Sequence, residues 1–221
     1  MTGFTINQVR ISDQVYEYLR GEITTGRLVP GERLDLDQLV EQLKVSKMPI
    51  KEALGRLATE GLVDIQSRRG TYVGRVDARD LEETFEVRRV LEMLAGELAV
   101  KRVGEDDLVR LRDLIVRMEE ASEVAVHVEL NFQFHGLIVE LSDNRKLIEM
   151  YERLSVPIQV AGIHYRSEGW LDRLAQEQLE HRAIVDALEG RDEEAAIRSI
   201  SAHIKRGRRS LLEDVERSKE G

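Results

Sequence analysis

The chain has 221 residues, of which 42% are hydrophobic and 34% charged, and its net charge at pH 7 is -9. Its apolar runs are all shorter than the roughly 20 residues that a membrane span requires, and the absence of cysteine excludes disulfides and thiolate metal sites. Because the N-terminus also lacks the apolar core of a signal peptide, we expect a cytoplasmic protein without a membrane segment.

The charge is divided unevenly along the chain. Residues 1–76 contain 11 basic and 10 acidic residues, whereas residues 77–221 contain 22 basic and 32 acidic ones. Nucleic-acid binding depends on the local field of one domain, so the overall acidity does not exclude DNA as a partner of the first part. We predict two domains, residues 1–76 and residues 77–221.

The first domain shows three helical segments followed by two short strands. The stretch SDQVYEYLRGEITTG, with Ser12 as a candidate N-cap, has apolar residues at helical spacing. Asp35 and Ser46 are candidate N-caps for a second and a third helix, and Pro49 falls in the first turn of the third, where its missing N–H costs little. LVDIQ and TYVGRV are typical of two strands joined by SRRG, in which Gly70 can adopt a positive φ. This order predicts a winged helix-turn-helix domain.

Positive charge in this domain gathers where such a fold meets DNA. The N-terminal part of the third helix enters the major groove, and a helix N-terminus also favours phosphate. The wing segment, residues 65–76, contains no acidic residue. A single lysine or arginine is more often a solvated surface residue, so the prediction of double-stranded DNA binding depends on the ordered set. The candidate contacts are Ser46, Lys47, Lys51, Arg68, Arg69 and Gly70.

The second domain is predicted to be entirely helical. The residues DARD at 77–80 lead into the pattern LEETFEVRRVLEMLAGELAVKRV, and helical segments follow near 105–122, 125–142, 144–165, 169–189 and 192–217. We expect an antiparallel bundle of about six helices, whose core can hold a ligand or a metal site. The fold class is therefore mostly α.

Four polar side chains of this bundle are candidate metal ligands. Asn131 and His135 are four residues apart and project from one face of a helix, while His181 and His203 lie on two further helices among apolar neighbours. Together they could supply nitrogen and oxygen ligands to a divalent ion. The alternative is that each histidine is a hydrogen-bonded core residue, and the spacing alone leaves both interpretations open.

The stretch GRLVPGERLDLDQLVEQLKVSKMPIKEALGRLATEGLVDIQSRRGTYV resembles the N-terminal domain of the GntR superfamily of bacterial transcription regulators, and the likeness covers nearly all of residues 8–76. In the usual form of that family the positions of Lys47 and Lys51 are arginines, and Met48, which the resemblance adds to the DNA-binding set, is often threonine. Lysine keeps the charge but not the fork that grips guanine through two hydrogen bonds. Phosphate anchoring is therefore the role that we expect for these lysines.

Residues 77–221 resemble the FCD ligand-binding domain of the fatty-acid-regulator (FadR-like) subfamily, through EVRRVLE, NFQFH and EHRAIVDALEGRDEEAA followed by His203. The resemblance implies that Asn131, His135, His181 and His203 bind a divalent metal. Asparagine stands where aspartate is more usual, and a neutral amide oxygen is a weaker ligand than a carboxylate. Zinc is the default metal, and nickel or manganese would also suit nitrogen and oxygen ligands.

Arg88 shares a helical stripe with Thr84 and Leu91. The resemblance implies that an arginine here can face the effector pocket, whereas a surface salt bridge agrees equally well with the spacing. A guanidinium facing a bound metal would favour a small carboxylate effector held at both ends.

The leading hypothesis is a metabolite-responsive transcription regulator. A homodimer would bind a pseudo-palindromic operator, and a small carboxylate in the helical domain would alter the geometry of the two winged domains. The alternative from another class is a metal-dependent hydrolase-type enzyme with a three-histidine site. No general-base motif such as HExxH accompanies His135 or His203, which argues against it. A third hypothesis is an architectural DNA-binding protein whose histidines are core packing.

Overall fold

The computed structural model describes residues 10–75, 77–166 and 169–220. The chain divides into two compact units after Arg75. Residues 1–9 and Val76, which fall within the predicted first domain, lie outside the described residues. The first unit contains α1 (Ile11–Thr24), β1 (Arg33–Leu34), α2 (Leu36–Leu43), α3 (Lys47–Thr59), β2 (Val63–Gln66) and β3 (Gly70–Val73). The second contains α4 (Ala78–Ala99), α5 (Glu105–Glu120), α6 (Val124–Leu141), α7 (Arg145–Tyr165), α8 (Trp170–Glu189) and α9 (Glu193–Glu220).

The helices of the first unit begin close to the predicted positions, with one correction. Arg10 rather than Ser12 stands at the N-cap of α1, and Ser12 is buried within the first turn. Asp35 caps α2 as predicted, because its Oδ1 accepts hydrogen bonds from the backbone N–H groups of Asp37 and Gln38. Ser46 stands at the N-cap of α3, although its hydroxyl makes no capping hydrogen bond within the described part of the chain.

The wing is a three-stranded antiparallel sheet in the order β1-β3-β2, so the sequence-based prediction missed one strand. β1 has only two residues, too few for an alternating pattern to show, and it is held by its hydrogen bonds to β3 rather than by its own preference. Val73 N–H donates to the Glu32 carbonyl at 2.8 Å, and Gly31 N–H donates to the Val73 carbonyl at 2.9 Å. The turn between β2 and β3 has left-handed backbone at Arg68, with φ 66°, and Gly70 has φ 126° as predicted.

The second unit is an all-helical bundle, in agreement with the predicted fold class. α4 packs on α6, α7 and α9, while α8 packs on α5 and α9. At Gly96 an added Cβ would lie 2.4 Å from Ile200 Cδ1, so α4 and α9 approach closely there. None of the helices in the described ranges has the length and hydropathy needed to cross a membrane. The largest fully buried side chains include Leu111, Met118, Phe134, Ile138, Ile184, Leu188 and Ile200.

Candidate functional site

The predicted DNA-contacting residues at the start of α3 are exposed. Ser46, Lys47, Met48 and Lys51 all face solvent, and Met48 is 63% exposed although it is apolar. Lys47 already has an intramolecular partner, because its Nζ lies 2.5 Å from Oδ1 of Asp37. Both side chains of this pair are more than half exposed, so the pair is screened by water and weak. Lys47 can therefore exchange Asp37 for a phosphate.

The wing turn presents further cations. Arg68 and Arg69 are exposed, and the turn is held by the Tyr72 hydroxyl, which donates to the Arg69 carbonyl at 2.9 Å. Arg33, on β1, pairs with Tyr72 in register and places its Nε beside Gly70. Sequence analysis missed Arg33 because β1 was not predicted, and only its position beside β3 relates it to the wing.

The three predicted histidine ligands converge from three helices of the second unit. His135 on α6, His181 on α8 and His203 on α9 are all buried. One ring nitrogen of each lies within 4.8 Å of those of the other two, and the Nε2 atoms of His135 and His203 are 3.1 Å apart. Two nitrogens bound to one zinc ion at 2.0–2.1 Å are separated by about 3–3.4 Å, so this spacing suits a shared metal.

Each of these imidazoles has an oxygen acceptor at Nδ1. Glu92 of α4 lies 2.6 Å from His135, Glu180 lies 2.9 Å from His203, and the amide oxygen of Gln178 lies 3.0 Å from His181. A carboxylate only accepts hydrogen bonds, so in a neutral ring Nδ1 carries the hydrogen and Nε2 is left with its lone pair. Carboxylates in this position orient histidines that bind metals and raise their basicity.

The protonation of two of these rings, His135 and His181, suits metal binding. Burial lowers the pKa of His135 to about 4, despite the opposing effect of the Glu92 carboxylate. Burial also lowers the pKa of His181 well below its usual value. Both rings are therefore neutral at pH 7, and His181 Nε2 has no hydrogen-bond partner among the described residues. A buried ring nitrogen without a hydrogen-bond donor is unfavourable, and a divalent cation bound to it would remove that cost.

Asn131 lies one turn before His135 on α6, and its Oδ1 is buried with no hydrogen-bond partner in the described part of the chain. It lines the same cavity as His203. A buried amide oxygen without a partner is unfavourable. It is therefore a second, independent indication that a hydrogen-bond donor or a cation should bind here. The donor set of three imidazole nitrogens and one amide oxygen fits a borderline divalent ion.

Arg88 is buried, so its interpretation as part of a surface salt bridge is wrong. Its Nε donates to Oε1 of Glu92 at 2.5 Å, and the guanidinium lies over the Phe132 ring at 5.3 Å. Burial alone would raise the pKa of Glu92, but Arg88 and His135 outweigh it and lower that pKa to about 2. Arg88 is therefore linked to the histidine cluster through the carboxylate of Glu92, which contacts both Arg88 and His135.

The cavity beside the cluster has a volume of about 60 Å³, room for a few water-sized groups. Arg88 and Asn131 line it together with His203, Arg166 and Arg206. The two further arginines could not be found from the sequence, because Arg166 follows the last residue of α7 and Arg206 faces inward only through its pairing with Glu180, at 2.6 Å.

A further histidine, His127, is also fully buried but has contacts of its own. Its Nε2 lies 3.2 Å from Glu177, and its ring is 4.9 Å from that of Trp170. Glu177 also accepts from Arg166 at 3.4 Å. His127 thus belongs to a separate hydrogen-bonded group and not to the converging three.

Carboxylates contact two of the histidines, but their positions in the sequence do not have the spacing of an HExxH motif. Glu92 and Glu180 both contact Nδ1, on the side of the ring opposite the converging Nε2 atoms. A general base for a metal-bound water would have to lie on the Nε2 side. The geometry therefore gives these carboxylates an orienting role.

Comparison with known protein families gives two matches. The description "Bacterial regulatory proteins, gntR family" matches residues 11–73, and "FCD domain" matches residues 83–206. Together they cover both compact units of the chain.

Individual proteins resemble the chain over most of its length. The Nta operon transcriptional regulator of Aminobacter aminovorans is 33% identical over 84% of this chain and 87% of its own. The uncharacterized HTH-type transcriptional regulator YdhC of Bacillus subtilis is 30% identical over 94% and 93%. Among solved structures, that of E. coli McbR/YncC superposes with a TM-score of 0.81 at 27% identity, covering 94% of this chain and all of that one.

Proposed function

The chain belongs to the GntR family of bacterial transcriptional regulators and carries an FCD domain, and from this premise we propose that it is a homodimeric repressor or activator controlled by a small carboxylate at a metal site. DNA binding and small-molecule binding are what these two domains imply. The observation that carries the metal and effector part is the convergence of three buried imidazoles, each with an oxygen acceptor at Nδ1, beside a cavity lined by a buried arginine.

We assign His135, His181, His203 and Asn131 as the residues that would hold the metal. The FCD resemblance implies a metal at these positions, and the buried Asn131 Oδ1 and His181 Nε2, which have no hydrogen-bond partner among the described residues, support a divalent ion here. Zinc is our default, with nickel or manganese as alternatives. A bound ion would supply positive charge and coordination positions that the four side chains leave open.

Arg88 is our candidate for the effector contact. It is buried in the cavity wall, and its ion pair with Glu92 holds its guanidinium in place. A carboxylate in the cavity could be bound by the metal on one side and by a guanidinium on the other. The volume of about 60 Å³ favours a small acid over a long-chain one.

On the DNA side, we assign Ser46, Lys47, Met48 and Lys51 of α3, and Arg68, Arg69 and Gly70 of the wing, to the operator contact. One winged domain covers only a half-site, so a pseudo-palindromic operator requires two copies. In support of a dimer, α4 carries an exposed apolar stripe at helical spacing, in which Val87, Val90 and Leu94 are 47%, 58% and 39% exposed.

The test combines metal analysis with operator selection. Purified protein should contain close to one zinc, nickel or manganese ion per chain, and a random DNA library should yield a pseudo-palindromic site. Binding to that site should change when a carboxylate from a panel of small acids is added. A selected site without two-fold symmetry, or a carboxylate response that persists in His135→Ala, would contradict the proposal.

A further inference from the structure

The candidate metal site contains no negatively charged ligand. Imidazole binds a metal in its neutral form, so the three histidines would contribute no charge, and Asn131 contributes a neutral amide in place of a carboxylate. A divalent ion bound by these four groups would keep both of its positive charges.

The carboxylates around the site cannot compensate these charges, because each already has its own arginine. Glu92 lies 2.5 Å from Arg88, and Glu180 lies 2.6 Å from Arg206. At the far end of the cavity Glu177 has Arg166 at 3.4 Å. Around the three histidines, the described residues therefore balance their own charges before any metal binds.

Two uncompensated charges in a buried, partly apolar place are costly, because burial removes the water that would solvate them. An anion that enters the adjoining cavity would remove that cost. An anion in this cavity would lie beside the metal site, because His203 and Asn131 line the cavity directly. Its volume of about 60 Å³ suits a small carboxylate.

We propose that Asn131 makes the binding of the metal and of a carboxylate mutually dependent, so that this regulator responds to the two together and only weakly to either alone. The inference rests on the metal site proposed above. By thermodynamic reciprocity, the anion increases the affinity for the metal by the same factor as the metal increases the affinity for the anion. An aspartate at position 131 would supply a permanent negative charge, strengthening metal binding and lessening its dependence on an added anion.

The experiment uses the full-length protein stripped of metal. Zn²⁺ affinity is measured at pH 7.5 by competition with a fluorescent chelator, with sodium acetate or with sodium perchlorate at the same ionic strength. The variants are the wild type, Asn131→Asp and Asn144→Asp. Asn144 is a matched control because it caps α7, where it accepts from two backbone N–H groups, and aspartate serves equally well at an N-cap.

For the wild type and Asn144→Asp, acetate should tighten Zn²⁺ binding by about tenfold or more, within the usual range for coupled sites. Asn131→Asp should bind Zn²⁺ about tenfold more tightly without acetate, and acetate should then add less than about threefold. Cobalt gives a second measurement, since acetate should change the visible spectrum of the Co²⁺-loaded wild type and change that of Asn131→Asp less.

Two results would overturn the inference while leaving the proposed metal site intact. One is Zn²⁺ binding to the wild type that acetate does not tighten. The other is an equal acetate effect in Asn131→Asp and the wild type. Failure of the wild type to bind Zn²⁺ or Co²⁺ at all would instead overturn the metal site itself, and the coupling with it.

Discussion

The Nε2 atoms of His135 and His203 lie 3.1 Å apart, and each of the two rings has a carboxylate at its Nδ1. The two histidines are 68 residues apart in sequence and lie on α6 and α9. In the tautomer that donates from Nδ1 to a carboxylate, a neutral ring has its lone pair at Nε2, so a cation placed between the two Nε2 atoms would be bound by both rings.

The first prediction concerns metal-dependent stability. His135→Ala and His181→Ala should each abolish Zn²⁺ binding, while His164→Ala should retain it, because His164 is not one of the converging three. Addition of Zn²⁺ in hundredfold excess over its Kd should stabilise the wild type by about 2.7 kcal/mol through mass action. Thermal denaturation with and without Zn²⁺ measures this, and an equal Tm shift in the His135→Ala protein would contradict the assignment.

The second prediction tests the groups behind the ligands. Glu180→Gln should weaken Zn²⁺ binding by about 10–100-fold, because the amide no longer fixes the tautomer of His203 with a full negative charge. Glu189→Gln, at an exposed position of the same helix, is the control. Chelator competition measures the Zn²⁺ affinity of both variants. Equal affinities would contradict the orienting role of Glu180.

The bundle and its helices could be predicted from the sequence because apolar residues at helical spacing record which face is buried. The convergence of the three histidines was predicted only through family resemblance, since spacing alone left core packing as an equal alternative, and that they bind a metal stays a prediction. Glu92, Glu180 and Arg206 could not be predicted. Glu92 reaches the site from α4, and Glu180 contacts His203 of the neighbouring helix α9 rather than the adjacent His181, so these contacts depend on how the helices pack. A charged residue that is paired inside a fold also has the same local pattern as one that faces solvent.

The short strand β1 was missed for a similar reason. Arg33 and Leu34 pair with β3 through backbone groups, which leave no signal in the side chains. As a consequence Arg33, which extends beside Gly70, was absent from the predicted DNA-binding set.

The third prediction is a loss of stability of the metal-free protein in mild acid. The folded-state pKa of His135 is lowered to about 4, whereas an unfolded histidine titrates near 6.5. Between these values the unfolded state binds the extra proton, so the free energy of unfolding should fall by up to about 1.4 kcal/mol per pH unit for this group as pH decreases. His135→Gln, which can still donate to Glu92, should show a shallower decline between pH 6.5 and 4.5 in urea titrations with chelator present. Identical slopes would place the acid sensitivity elsewhere.

The fourth prediction concerns the Lys47–Asp37 ion pair. Lys47→Ala should weaken DNA binding and reduce the slope of log affinity against log salt by about 1, because one phosphate contact and its counterion release are lost. Asp37→Asn should strengthen binding, because it releases Lys47 and removes a negative charge beside the phosphates. Arg198→Ala, at an exposed position in the second unit, should leave the slope unchanged. Fluorescence anisotropy at several salt concentrations checks all three, and an Asp37→Asn protein with weaker binding would contradict the proposed orientation of α3.

The fifth prediction is that α4 forms the dimer contact. Val90 is 58% exposed between Val87 and Leu94, and a stripe of this kind favours burial against a second copy. Val90→Glu would place a charge in that contact, where its desolvation is not compensated, so the variant should dissociate to monomers at concentrations where the wild type is dimeric. Val109→Glu on α5, where the native valine is 57% exposed, introduces the same charge at a matched exposure and should stay dimeric. Sedimentation velocity measures the mass of each, and Val90→Glu should also lose affinity for a two-half-site operator while keeping its weak binding to a single half-site. A Val90→Glu protein that remains dimeric would move the contact to another face of the bundle.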